Sequence, residues 1–274
     1  MEREGMIRQP AVAGTFYEAD PDKLRKEVAR LLPAALRKKK APAKAAIVPH
    51  AGYVYSGEVT GEALARVEIP ETVILLGPNH STGLGAPLAV SGEDWETPLG
   101  TVPLAQDLAT ALVKGSKLFK SDNAAHRREH SLEVQLPFLQ HLQKKLRIVP
   151  ICISRLPLPQ CRQAGMDLAQ AVKNYAKPVL LVVSTDLSHH EPRTVVSEKD
   201  QLALGDILSL DPAHLYRTVL TKRISMCGVI PVTIALFAAL ELGAERAQLF
   251  RYTDSGYVSG DVQRVVGYAG LAVR

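Results

Sequence analysis

Short apolar runs recur along this chain, and stretches of helical character lie between most of them. The strand-like runs fall at residues 45–48, 72–76, 86–90, 146–153 and 179–183, with two more at 248–252 and 264–273. Helical patterning is read at 22–36, 57–67, 104–113, 129–142, 160–175, 197–208, 212–220 and 229–242. The first helix carries a start signal, Asp20 as N-cap with Pro21 behind it. The 129–142 stretch is interrupted by Pro137. Runs too short to be helices, flanked by Gly and Pro, suit strands buried on both faces. Their alternation with helices predicts an α/β layered sandwich, with a central mixed or mostly parallel sheet flanked by helices.

With 274 residues and no repeat, low-complexity segment or long polar linker, the chain is expected to form a single α/β domain spanning 1–274. Its hydrophobic content of 46% supports a sizeable core and argues against disorder. The net charge of +5 permits an acidic ligand without demanding one. The basic run Arg37-Lys38-Lys39-Lys40 has no interleaved aromatics, so a solvated loop is favoured over a nucleic-acid patch. Three scattered cysteines make no disulfide framework. The charged start, Met1 to Gly5, is followed by no apolar signal segment, and no run is long enough to span a bilayer. The expected compartment is the cytoplasm, with no membrane and no nucleic-acid partner.

Three strand candidates run straight into histidine-bearing loops. Residues 45–48 lead to Pro49-His50-Ala51-Gly52, residues 72–76 to Gly77-Pro78-Asn79-His80, and residues 179–183 to Ser184-Thr185-Asp186-Leu187-Ser188-His189-His190. Ligands of open α/β sheets bind beyond the carboxyl ends of the strands. Parallel neighbours would therefore bring these imidazoles together. Imidazole is a common ligand for zinc, copper and iron, and Asp186 could orient one from behind. A lone histidine at a strand end is as often a plain surface residue; three together favour a shared site.

The other candidates have blander readings. His130 reads as a residue of a first helical turn, His126 as solvent-facing beside Arg127 and Arg128, and His141 and His214 as helix surface. Cys152 reads as a small core residue, and Cys161 starts a helix. Cys227 precedes Gly228 and a hydrophobic helix, where a thiolate would gain from the helix N-terminus. Burial and ligation both remain open for it.

Several motifs in fixed order give the chain a family likeness. They are Val48-Pro49-His50-Ala51-Gly52-Tyr53, Gly77-Pro78-Asn79-His80, Glu129-His130-Ser131-Leu132-Glu133, Ser184-Thr185-Asp186-Leu187-Ser188-His189 and Met226-Cys227-Gly228. The opening, Arg8 to Tyr17, and the ending, Ser259-Gly260-Asp261 through Val265-Val266-Gly267-Tyr268, fit as well. In these the chain resembles the Memo family, also called AmmeMemoRadiSam system protein B. The resemblance covers essentially the whole chain. It implies a fold like that of class III extradiol dioxygenases, which cleave aromatic rings with non-haem Fe(II) and O₂. It implies metal ligation by His50, His80 and Cys227, a catalytic base at His189, a substrate-facing histidine at His130, and Asp186 lining the cleft. The dioxygenases use two histidines and a carboxylate. Cys227 in the matching place departs from that set and leaves copper and zinc open beside Fe(II). Family association also implies AMMECR-like and radical-SAM proteins as partners.

Three functions follow as expectations. The first is a non-haem iron-dependent oxidoreductase, dioxygenase-like, acting on a small substrate such as an aromatic or catecholic one. In it His189 takes a proton and His130 stabilises developing charge. The second is a non-enzymatic metal- or peptide-binding adaptor using the same cleft, for which Arg193 and Arg223 could meet an acidic ligand. The third is a zinc-dependent hydrolase.

Overall fold

The computed structural model describes residues 7–37, 40–80 and 85–274. The charged start at residues 1–5 and two lysines of the basic run, Lys38 and Lys39, lie outside the described residues. Among the described residues the strands are β1 (Ile7–Arg8), β2 (Ala45–Val48), β3 (Thr72–Pro78), β4 (Leu88–Val90), β5 (Asp94–Trp95), β6 (Phe119–Ser121), β7 (Arg147–Ile153), β8 (Val179–Ser184), β9 (His189–Glu191), β10 (Ala247–Asp254) and β11 (Val265–Val273). The helices are α1 (Pro21–Leu31), α2 (Ala34–Arg37), α3 (Tyr53–Ala65), α4 (Gln106–Gly115), α5 (Leu136–Leu142), α6 (Leu158–Lys173), α7 (Arg193–Leu208), α8 (Pro212–Thr221), α9 (Val229–Glu241) and α10 (Gly256–Ser259).

The main sheet runs in the order β10-β11-β2-β8-β3-β7-β4-β6, with β9 added on β11. Its centre is parallel: β2 pairs β8, β8 pairs β3, and β3 pairs β7. Antiparallel pairs flank that centre, β11 with β2 on one side and β4 with β7 on the other. The sheet is therefore mixed around a parallel heart, and β1 and β5 form a separate parallel pair.

The period of two along each central strand sends alternate side chains into two apolar layers. Ile47, Ile74, Leu76, Leu181 and Val183 face one layer, which α4, α6, α7, α8 and α9 cover. Ala46, Val48, Val73, Leu75, Leu180 and Val182 face the other, covered by α1, α3 and α5. Each fully buried Val, Leu or Ile contributes about 1.5–3 kcal/mol, which is why these runs end up inside. The α6–α9 crossing is close because residue 165 is glycine: a Cβ there would lie 2.5 Å from that of Phe237 and 2.8 Å from the Ile234 carbonyl oxygen.

Local signals place most elements correctly and miss some ends. Asp20 caps α1 as expected, accepting from the N–H groups of Asp22 and Lys23. The 22–36 helix is broken at Leu32-Pro33 into α1 and α2. α3 and α7 each begin four residues before the expected start, α7 directly after Pro192. The expected helix at 129–142 is mostly absent. Glu129 to Leu132 is irregular, a 3₁₀ turn follows at Glu133–Gln135, and only α5 is α-helical, with Pro137 in its first turn. The short strands β1, β5, β6 and β9 lacked a readable pattern. Among the described residues no helix is long and apolar enough to cross a membrane.

Candidate metal centre

The parallel order β2-β8-β3 sends three histidine loops off the same edge of the sheet. His50 follows β2, His80 follows β3, and Ser184 to His189 follows β8. A fourth segment, Glu129 to Ser131, packs across them. Ser131 Oγ donates to the Pro78 carbonyl (3.0 Å), and Ser184 Oγ donates to the Ser131 carbonyl (2.7 Å). That stitch delivers His130 to the site.

The donor atoms of His50, His80 and His130 all lie within 4.8 Å of one another, a grouping that could hold a metal ion. The rings of His80 and His130 stack at 4.7 Å, and His50 meets each edge-on at 5.1 and 5.5 Å. Their hydrogen bonds set the tautomers. Ser184 Oγ spends its proton on Ser131, so it accepts from His50 Nδ1–H at 2.8 Å. Glu129 Oε1 accepts from His80 Nδ1–H at 2.9 Å. Both rings therefore keep the Nε2 lone pair for a ligand, the arrangement seen when a second layer of hydrogen bonds orients metal-binding imidazoles.

Electrostatics agree with this reading for His50 and pull the other way at His80. Burial, reinforced by His80 and His130, holds the His50 pKa well below the usual histidine range, so the ring is neutral. Burial lowers His130 as well. For His80, burial opposes the charged form, but the hydrogen bond and charge of Glu129 outweigh it and raise the pKa. Burial works against the charged Glu129 carboxylate, but the His80 ring and the N–H groups of His80 and Ser131 bring it down to about 2. Glu129 is the functional residue that sequence reasoning missed. It stood in a quoted motif, but nothing local showed that a fully buried carboxylate would serve a histidine 49 residues away.

Cys227 also reaches the centre. Its Sγ is 3.3 Å from His50 Nε2 and accepts from the Asp186 N–H at 3.3 Å. Gly228 permits the approach: a Cβ there would meet the Thr185 side chain and lie 2.8 Å from the Ser184 carbonyl oxygen. Gly228 is the N-cap of α9, so Cys227 lies just before the helix. The expected thiolate stabilisation is not realised by the protein alone: burial first, and the Asp186 carboxylate second, push the thiol well above its ordinary range. Asp186 is itself buried and raised by that burial, while its Oδ1 accepts the His50 N–H at 2.8 Å. His189 sits at the rim, with Nδ1–H donating to the Ser225 carbonyl at 2.9 Å and its backbone N–H to Ser225 Oγ at 2.7 Å. His190 is exposed.

The remaining candidates sort cleanly. His126 is not solvent-facing. It is fully buried, its Nε2–H donates to the Ala89 carbonyl at 3.1 Å, its ring abuts Trp95, and burial lowers its pKa to about 4. The 3₁₀ turn at Ala124–His126 points it inward while Arg127 and Arg128 stay outside. His130 is not in a helical turn, for the reason given above. His141 is half-buried at the end of α5, and His214 is exposed and paired with Asp206. Cys152 and Cys161 are buried. Arg193 is taken by a two-point ion pair with Asp254, so it is not free for an acidic ligand.

The sequence profile of the family described as "Memo-like protein" matches residues 8–272. The chain belongs to the Memo family. A MEMO1 family protein of Methanosarcina barkeri is 40% identical over 268 residues, covering 97% of this chain and all of that protein. Another, from Aquifex aeolicus, is 40% identical over 267 residues, 97% of this chain and 98% of its own length. Among solved structures, an uncharacterised Escherichia coli K12 protein superposes with a TM-score of 0.51 at 13% identity, covering 82% of this chain and 98% of that one. That likeness speaks to the fold. The histidines of this Memo chain thus sit in a mixed α/β scaffold that an unrelated-looking sequence shares.

Proposed function

We propose that this Memo-family chain is a metal-dependent oxidoreductase, dioxygenase-like, that holds Fe(II) and acts on a small aromatic substrate. The observation that supports it most is the meeting of three imidazoles within 4.8 Å, two of them with Nε2 turned to the centre by the bonds at Nδ1. His50, His80 and His130 would hold the ion, with Cys227 the next donor beside His50. Neutral nitrogens with an adjoining thiol suit iron, copper and zinc. When bound, iron would supply one-electron and O₂ chemistry at that point.

The protein's own groups divide the remaining work. The Ser225 carbonyl fixes the Nδ1–H tautomer of His189, so Nε2 carries the lone pair that takes a substrate proton. Asp186 anchors the His50 backbone through Oδ1. Glu129 and Ser184 keep the two imidazoles turned inward.

Elemental analysis of anaerobically purified protein, followed by Fe(II) loading and nitric oxide EPR, tests this. One iron per chain and a high-spin iron–nitrosyl signal are expected, and both should vanish in His50→Ala. Protein that takes up no iron, or iron that gives no nitrosyl signal, defeats the proposal. Comparing His130→Ala with Cys227→Ser in the same assay tells which supplies the third bond. Three neutral imidazoles are equally the donor set of a catalytic zinc site. Stoichiometric zinc with hydrolytic turnover would favour that second reading.

A further inference from the structure

A cleft of about 590 Å³ opens beside the centre, with His80 and Cys227 in its wall. That volume suits a small organic molecule. Leu156, Ile224 and Ile230 give the cleft an apolar lining. Its charge is one-sided. Among the described residues Arg155 is its only arginine or lysine, and no aspartate or glutamate lines it. Arg155 also differs from several arginines of this chain. Arg8, Arg66, Arg147, Arg193 and Arg251 each hold a carboxylate. Among the described residues Arg155 holds none, and it is exposed.

The sheet explains why this cation stands near the metal centre. Ile153, at the end of β7, is in register with Pro78 at the end of β3. The Asn79 N–H then donates to the Ile153 carbonyl at 2.8 Å, and Asn79 Nδ2 to Ser154 Oγ at 3.3 Å. His80 and Arg155 are thus the next residues of two segments leaving the sheet side by side. A lone guanidinium matches a planar carboxylate through two parallel hydrogen bonds.

We propose that this cleft receives a small apolar carboxylic acid of aromatic size, with its carboxylate on Arg155 and its far end at His80 and Cys227. The inference rests on the reading of the centre as a small-molecule site and names the class of substrate. A peptide would need a longer groove and is the competing occupant.

The test uses full-length protein, metal-free and iron-loaded, with phenylacetate, 3-phenylpropionate and 4-hydroxybenzoate as probes against their uncharged amides. Binding is read by calorimetry and saturation-transfer NMR. At least one acid should bind about tenfold or more tighter than its amide. Arg155→Gln should abolish that preference while leaving amide binding and metal content unchanged, and Arg155→Lys should restore part of it. Equal binding of acid and amide, an unchanged preference in Arg155→Gln, or no binding of any probe up to about 10 mM overturns the inference. Acid preference without metal uptake would sink the proposed function alone, whereas metal uptake without acid preference would sink this inference alone.

Discussion

Glu129 takes two hydrogen bonds from His80, one from its backbone N–H at 2.6 Å and one from its ring Nδ1–H at 2.9 Å. The carboxylate therefore fixes both where the loop after β3 sits and which nitrogen faces the centre. Replacing such a partner typically weakens a metal site by about 10–100-fold. Glu129→Gln is expected to lose affinity in that range, measured by competition with a chromophoric chelator. Unchanged affinity would mean that the bond is structural only.

Arg8 and Glu133 form a buried clamp on the same region. Arg8 Nη1 meets Glu133 Oε2 at 2.6 Å, and its other nitrogens donate to the carbonyls of His126 (2.8 Å) and Glu129 (2.6 Å). Glu133 also accepts from the N–H groups of Ala11 and Val12 and the Tyr17 hydroxyl. Removing one partner leaves a buried charge without its match. Arg8→Met is expected to cost about 3–5 kcal/mol in urea denaturation. The double variant Arg8→Met with Glu133→Gln should cost less than the sum of the two single changes.

His126 predicts a pH dependence. Its folded-state pKa of about 4 lies below the ordinary histidine value of 6.5, because burial disfavours the charged ring. The unfolded chain therefore binds the proton first. Stability should fall as pH drops from 6.5 toward 4, with this residue accounting for up to about 3 kcal/mol. The difference in unfolding free energy between the wild type and His126→Phe, taken at pH 7 and pH 4.5, isolates the contribution. A difference that does not change with pH contradicts it.

Gly228 should tolerate no side chain. Its hypothetical Cβ abuts Thr185 and the Ser184 carbonyl, both on the segment that sets Cys227 against His50. Overpacking of this kind costs about 1–3 kcal/mol. Gly228→Ala is expected to lower Tm and to change the reactivity of Cys227 toward a thiol reagent, whereas Gly205→Ala, at a position with open space, should do neither.

The parallel heart of the sheet was legible because β2, β3, β7 and β8 are apolar runs closed by Pro, Gly or Ser, and burial on both faces needs that composition. The convergence of His50 and His80 followed from sheet geometry. His130 needed the tertiary stitch through Ser131 and Ser184, which has no local signature. His126 was misread because its neighbours Arg127 and Arg128 are polar, while a single 3₁₀ turn reverses its direction. Glu129 was invisible as a functional residue because its partner is remote in sequence.

The strand order also fixes when the centre can exist during synthesis. β8 is inserted between β2 and β3, so the loops bearing His50 and His80 have no common frame until residues 179–184 have been made and threaded into place. A nascent chain that already carries both histidines still lacks the strand that brings their loops to one edge of the sheet.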